Sequence, residues 1–309
     1  MENYRTRLIS LISMMLLIII PLSANGLGES QSHGEYAISI VDSRGVTISL
    51  EEIPQKIVSL SPNITETLFS LGLGDHMVGR TDYCDYPHEA QSIEPMGDLL
   101  SPSVEKIVST DPDLVIISNL GQLQTIEAIE MTGIPVAFID EPQTMEGTYR
   151  IIEQVGEVTG TAKVAAQIVK DMRSEIEKIN VSELKDNPSV YYVAGFGEWG
   201  DFTATGDTFI HDIITLAGGE NIASEAVNWS YQLELLHAKD PDIIILPPLW
   251  GSTFEQTYEQ FVNHPSYASL SAVKKGKIIN IDNNIIERQG PRSAQAVSIL
   301  ATEIDRLSR

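Results

Sequence analysis

The chain is poor in cysteine and in positive charge, and each shortage removes a class of function. Cys84 is the single cysteine among 309 residues, so no intrachain disulfide and no cysteine-based zinc site can form. Lys and Arg number 20 against 43 Asp and Glu, a formal charge of −23. No basic stretch is available to neutralise phosphates, which excludes a nucleic-acid binder held by backbone contacts. The 6 histidines offer neither an i, i+4 pair nor an HxH, so no dedicated metal site is expected. GxSxG is absent, and Gly72-Leu73-Gly74 lacks the lysine of a phosphate loop.

Long apolar runs are missing too, with one exception. Arg5 and Arg7 precede an apolar stretch from Leu8 to Leu22, and Ser23-Ala24-Asn25-Gly26 supplies small residues for cleavage. Residues 1–26 therefore read as a secretory signal peptide. The competing reading is an uncleaved membrane anchor, for which a run holding Ser10, Ser13 and Pro21 is short. No cysteine stands at the cleavage region, which argues against a lipid-anchored maturation route. The expected location is outside the cytoplasm: periplasmic, at the cell surface, or tethered through the N-terminal segment.

What the chain does have is duplication. EKIVSTDPDLVIIS from Glu105 and ELLHAKDPDIIILP from Glu234 each open on glutamate, reach Pro-Asp seven residues later, and run into a Leu/Ile/Val strand. Upstream of each lies a second echo, Leu71 to Asp75 (LGLGD) and Leu216 to Asn221 (LAGGEN). Two halves that each read strand-helix-strand predict two similar lobes with a ligand cleft between them. The strands are continuous apolar runs separated by helices, which predicts parallel sheets covered on both faces. Ligands bind such sheets beyond the C-terminal strand ends.

The predicted divisions are an N-terminal α/β lobe over 27–145, a linking helical segment over 146–187, and a C-terminal α/β lobe over 188–309. The first lobe opens on a hairpin around Asp42-Ser43-Arg44-Gly45. Asn63 to Glu66 has capping-box spacing for the helix after KIVSLSP. In the link, Val164, Ile168, Met172, Ile176 and Ile179 recur at helical intervals. A helix over 161–180 would be about 30 Å long and would reach from one lobe to the other.

Candidate site residues sit in the loops after the strands. Asp82-Tyr83-Cys84-Asp85-Tyr86-Pro87 places two tyrosines on one loop, suited to a flat ligand. Tyr86 reads equally well as packing over its own lobe. Phe196, Trp199, Trp229 and Trp250 all lie in the second half, most of them near strand ends. Glu105 and Glu234 fit the first turns of helices, where the dipole favours them, with Pro102 at the first helical position ahead of Glu105. As a matched pair they also suit docking onto arginines of a symmetric partner. Arg288 and Arg292 flank Gln289-Gly290-Pro291 and read either as ligand contacts or as partners of acidic neighbours.

IVSLSPNITETLFSLGLGD, TDYCDYP, the two Glu…Asp-Pro-Asp units, LAGGENI and ERQGPR together resemble the helical-backbone (class III) solute-binding proteins of ABC importers, nearest the cobalamin-binding branch. The resemblance spans nearly the whole chain from Ala37. It implies an α/β fold of two Rossmann-like lobes with central parallel sheets, joined by one long interdomain helix. It also implies docking of Glu105 and Glu234 to arginines of a permease dimer. Tyr83 matches the corrin-gripping tyrosine of the branch, and Trp229 lies within a residue of its tryptophan. Two positions depart from the pattern: Leu99 stands for a tryptophan and Asn284 for an aspartate.

The expected function is delivery of a cobalamin-like corrinoid to an importer by a monomer without catalysis or cofactor. Its ligand set is Tyr83, Asp85, Leu99, Phe196, Trp199, Trp229, Asn284 and Arg288. A ferric siderophore or haem receptor is the alternative on the same scaffold, and a cleft rich in arginine would favour it. An exported hydrolase using Asp85 and Glu198 is the alternative from another class.

Overall fold

The computed structural model describes residues 37–118, 122–179, 187–249 and 251–309. Residues 1–26, expected to be a signal peptide, Trp250 and the side chain of Trp199 lie outside the described residues. A hairpin of β1 (Ile38–Val41) and β2 (Thr47–Leu50) leads the described chain, paired Ile38 to Leu50 and Val41 to Thr47. Its turn is organised by the buried Asp42 carboxylate, which accepts from the backbone N–H groups of Arg44 (2.9 Å) and Val46 (3.1 Å).

The first lobe then runs through β3 (Ile57–Ser59), α1 (Pro62–Ser70), β4 (Met77–Arg80), α2 (Val104–Ser109), β5 (Leu114–Ser118), α3 (Leu123–Glu130) and β6 (Val136–Ile139). All its strands are parallel, in the order β4-β3-β5-β6. After the link come β7 (Ser189–Tyr192), α6 (Phe209–Leu216), β8 (Glu220–Asn221), α7 (Leu233–Lys239), β9 (Ile243–Ile245), α8 (Phe254–Asn263), α9 (Ser271–Lys274) and β10 (Ile278–Ile279). These strands are parallel too, in the order β8-β7-β9-β10. Each lobe thus places its second strand outside its first and its third and fourth on the other side. Helices α10 (Asn283–Glu287) and α11 (Ser293–Ser308) close the chain.

The sequence echoes are the joints of this repeated wiring. Gly72 (φ 81°) and Gly218 (φ 88°) end α1 and α6 in the left-handed conformation that glycine adopts without penalty. Behind each, the same pair of bonds closes the helix: Leu73 to Leu68 and Gly72 to Phe69, then Gly219 to Ile214 and Gly218 to Thr215. The Asp-Pro-Asp units match as closely. Asp111 (φ 50°) and Asp240 (φ 42°) make the turn after α2 and α7. Asp113 then accepts from the N–H groups of Gln55 (2.7 Å) and Lys56 (2.9 Å), and Asp242 from Ser189 N–H (3.0 Å). Each ties the incoming third strand to the start of the first.

The link is a helical hairpin. Helix α4 (Met145–Val158) lies against β1, β6 and α1, turns at Gly160 (φ 72°), and α5 (Ala162–Glu177) returns alongside it to pack on α11. The predicted 161–180 helix is α5, 16 residues and about 24 Å long. The hairpin is tight because Gly156 has no side chain: a Cβ there would stand 2.4 Å from that of Ala165.

Two helix starts differ from the sequence reading. Ser61, not Asn63, is the N-cap of α1, with Pro62 in the first turn, so Glu66 is freed from any capping role. In α2 the cap is Ser103, whose hydroxyl accepts from Lys106 N–H at 3.3 Å, and Pro102 lies outside the helix.

Candidate functional site

The loop after β4 is built around a buried arginine. Arg80 spends its guanidinium on the carbonyls of Ala90 (2.8 Å), Thr81 (2.8 Å) and Gln91 (3.2 Å). Cys84 is buried against the Thr81 hydroxyl at 3.2 Å. With those two side chains inward, their neighbours turn out: Tyr83 is 54% exposed and Tyr86, ahead of a cis proline, 45%. The Tyr83 hydroxyl reaches Asp98 at 3.4 Å, one residue before the half-buried Leu99.

On the second lobe, Trp229 is 40% exposed at φ 63°. Its N–H donates to Thr205 Oγ1 at 3.0 Å and its carbonyl accepts from Thr203 N–H at 2.9 Å, which fixes the residue beside Phe202. Phe202 is 41% exposed and lies over Gly195. The expected wall residue Phe196 points the other way. It is buried edge-on against Phe261 (5.2 Å) and Tyr267 (5.7 Å). Phe196 is therefore a core residue of the second lobe, and Phe202 occupies the outward place in the same loop. Asn284, in the first turn of α10, has its N–H capped by Asp282 at 2.9 Å.

Arg288, Asp85 and Tyr83 come together. Arg288 donates to Asp85 Oδ1 (2.7 Å), to Glu66 Oε1 (3.0 Å) and to the Tyr83 carbonyl (3.3 Å). Burial alone would lower its pKa, but the bonds to Asp85 and Glu66 outweigh it and raise the value above the ordinary arginine range. Arg292 holds Glu66 through Nε (2.8 Å) and Nη2 (2.6 Å), and its guanidinium lies 3.8 Å above the Tyr86 ring. Glu66, buried to 2% exposure, is thus gripped by both arginines of the other lobe. These arginines do pair with acidic neighbours, one of the two readings of them. Glu66 escaped sequence reasoning because its spacing from Asn63 imitated a capping box. The Ser61-Pro62 pair was the available sign of an earlier helix start.

Beside this cluster, Glu287 accepts from the buried Tyr192 hydroxyl at 2.9 Å. Burial holds its carboxyl above the usual range, although the tyrosine bond and Arg288 pull the other way. The folded protein therefore keeps this proton to higher pH than the unfolded chain. The stability linked to it is full below the ordinary carboxylate range and is lost as pH rises through the raised value. Glu287→Gln, whose amide oxygen still accepts from Tyr192, is expected to flatten that fall when urea denaturation is followed upward in pH from the ordinary carboxylate range.

Glu105 and Glu234 stand at the second position of α2 and α7, both exposed and both without an ion pair or side-chain hydrogen bond among the described residues. Of the proposed hydrolytic pair, Asp85 is engaged by the second lobe's Arg288, while Glu198 lines a separate groove with His264 and Pro265. No group of three or more metal-binding side chains occurs among the described residues.

Comparison with known proteins agrees with this architecture. The chain is 29% identical over 276 residues to the uncharacterized ABC transporter substrate-binding lipoprotein YvrC of Bacillus subtilis, covering 87% of this chain and 86% of that one. It is 26% identical over 260 residues to the vitamin B12-binding protein of Photorhabdus laumondii, covering 83% and 90% respectively. The apo structure of the periplasmic heme-binding protein RhuT from Roseiflexus superposes with a TM-score of 0.75 at 25% identity, over 82% of this chain and 99% of RhuT. A family model described as periplasmic binding protein matches residues 57–285. With two lobes of identical wiring and that match over most of its length, the chain belongs to the periplasmic binding protein family.

Proposed function

We propose that the chain is the substrate-binding component of an ABC importer, acting outside the cytoplasm and carrying a cobalamin-like corrinoid in the cleft between its lobes. Membership of the family and the relatives above support the transport role, and no described helix is long and apolar enough to cross a membrane. One observation favours a corrinoid over an anionic iron chelate: the arginines near the strand ends are already engaged. Arg80 is bonded to carbonyls, and Arg288 and Arg292 to Glu66 and Asp85, two positive groups against two negative. A floor so balanced offers little to carboxylates or hydroxamates, whereas the exposed Tyr83, Tyr86, Phe202 and Trp229 offer flat apolar contact from both lobes. Glu105 and Glu234 serve as the docking points for the permease.

Titration of the purified protein with cyanocobalamin, haemin and a ferric siderophore, followed by tryptophan fluorescence, tests this reading. Saturable submicromolar quenching by the corrinoid alone is expected, weakened by Trp229→Ala. Haem, which the structurally similar RhuT binds, is the competing ligand. Binding of haemin or the siderophore without the corrinoid would keep the transport role and overturn the ligand.

A further inference from the structure

Residues 288–292 belong to the second lobe, yet their polar groups are turned into the first. Arg288 and Arg292 converge on Glu66 as described. Between them Gln289, also buried, donates its side-chain amide to the carbonyls of Pro142 (2.9 Å) and Thr144 (3.3 Å). Its own carbonyl accepts from Asn63 Nδ2 at 3.3 Å. Both ends of this seam are mounted on rigid elements. Glu66 lies on α1, packed against β3 and β5, and Arg292 is the N-cap of α11, packed against α5 and α6.

We infer that Glu66 is a positioning residue: it latches the 288–292 segment and so sets the angle between the lobes. Guanidinium–carboxylate bonds are directional, and a buried carboxylate held by two bonds from Arg292 and one from Arg288 has little freedom to shift. The helical hairpin fixes where the chain crosses, while the latch fixes how the two sheets face each other. The distance from Glu105 to Glu234, and between the aromatic groups of the two lobes, follows from that angle. The functional weight of the inference rests on the docking role proposed above, but its test needs neither ligand nor permease.

Val108 on α2 and Leu235 on α7 are exposed and suit spin labels after substitution by cysteine, Cys84 being buried. Pulsed electron spin resonance on the full chain is expected to give one narrow interlobe distance. Glu66→Gln in the same background is expected to lose that single narrow peak while circular dichroism is unchanged. A folded Glu66→Gln protein that keeps the narrow peak overturns the latch. Should that variant fail to fold, Arg292→Gln removes the two-bond grip on Glu66 while leaving that carboxylate paired with Arg288. It is expected to broaden the distance as well, and an unchanged width there overturns the inference equally. Failure of cobalamin binding would leave this result untouched.

Discussion

Glu66→Leu is expected to cost the folded protein about 3–5 kcal/mol, the range for removing one partner of a buried ion cluster. Against a total stability of about 5–15 kcal/mol for a typical domain, that is a large share. The loss comes from what is left behind. Arg288 keeps Asp85 at 2.7 Å, but Glu66 is the carboxylate that Arg292 holds. Without it, Arg292 retains chiefly the Tyr86 ring face, worth about 0.5–2 kcal/mol.

The origin of the cost is checked by a second substitution. Arg292→Met in the Glu66→Leu background removes the stranded charge and places a thioether beside Tyr86. The double variant is expected to regain most of the stability, so that the four proteins form a strongly coupled cycle in urea denaturation. Simple addition of the two costs would mean that Glu66 and Arg292 act separately, and the ion cluster would then be no more than a consequence of the fold.

These partners are also where sequence reasoning stopped. The two lobes were legible because their joints are local: glycines after α1 and α6 and Asp-Pro-Asp turns after α2 and α7 need particular residues at particular places. Strands such as β5 and β9 announce themselves as unbroken apolar runs because both faces are covered. Glu66 lies 222 and 226 residues from Arg288 and Arg292, and a pairing so distant leaves no period in the chain. A nearer pattern, the spacing from Asn63 to Glu66, competed with it. Side-chain direction within a loop was hidden for a similar reason. Phe196 and Phe202 are six positions apart, and which one turns inward depends on Phe261 and Tyr267, supplied by a later helix and its following turn. Helix α8 carried a legible signal, the capping box of Thr253 and Gln256, whereas β8, two residues long, gave none.

Reversing both proposed docking charges, Glu105→Lys with Glu234→Lys, is expected to abolish uptake while leaving ligand affinity as it was. Truncating one partner of a desolvated interfacial charge pair costs about 2–5 kcal/mol, roughly thirtyfold or more in affinity, and reversal adds repulsion. Ligand binding should be spared because neither carboxylate takes part in the described hydrogen bonds or ion pairs, and each stands exposed on its own short helix. The pair matters more than either member. The two lobes share one wiring, so α2 and α7 present their glutamates from equivalent positions, as a partner with two matching basic patches requires. Single reversals are accordingly expected to weaken uptake and the double reversal to eliminate it, measured as ligand accumulation in cells expressing the permease and, separately, as co-purification of protein with permease. Loss of uptake with undiminished co-purification would move the role of these residues from docking to a later step of transfer. Full uptake by the double variant would remove them from transport, leaving helix-dipole stabilisation as their whole contribution.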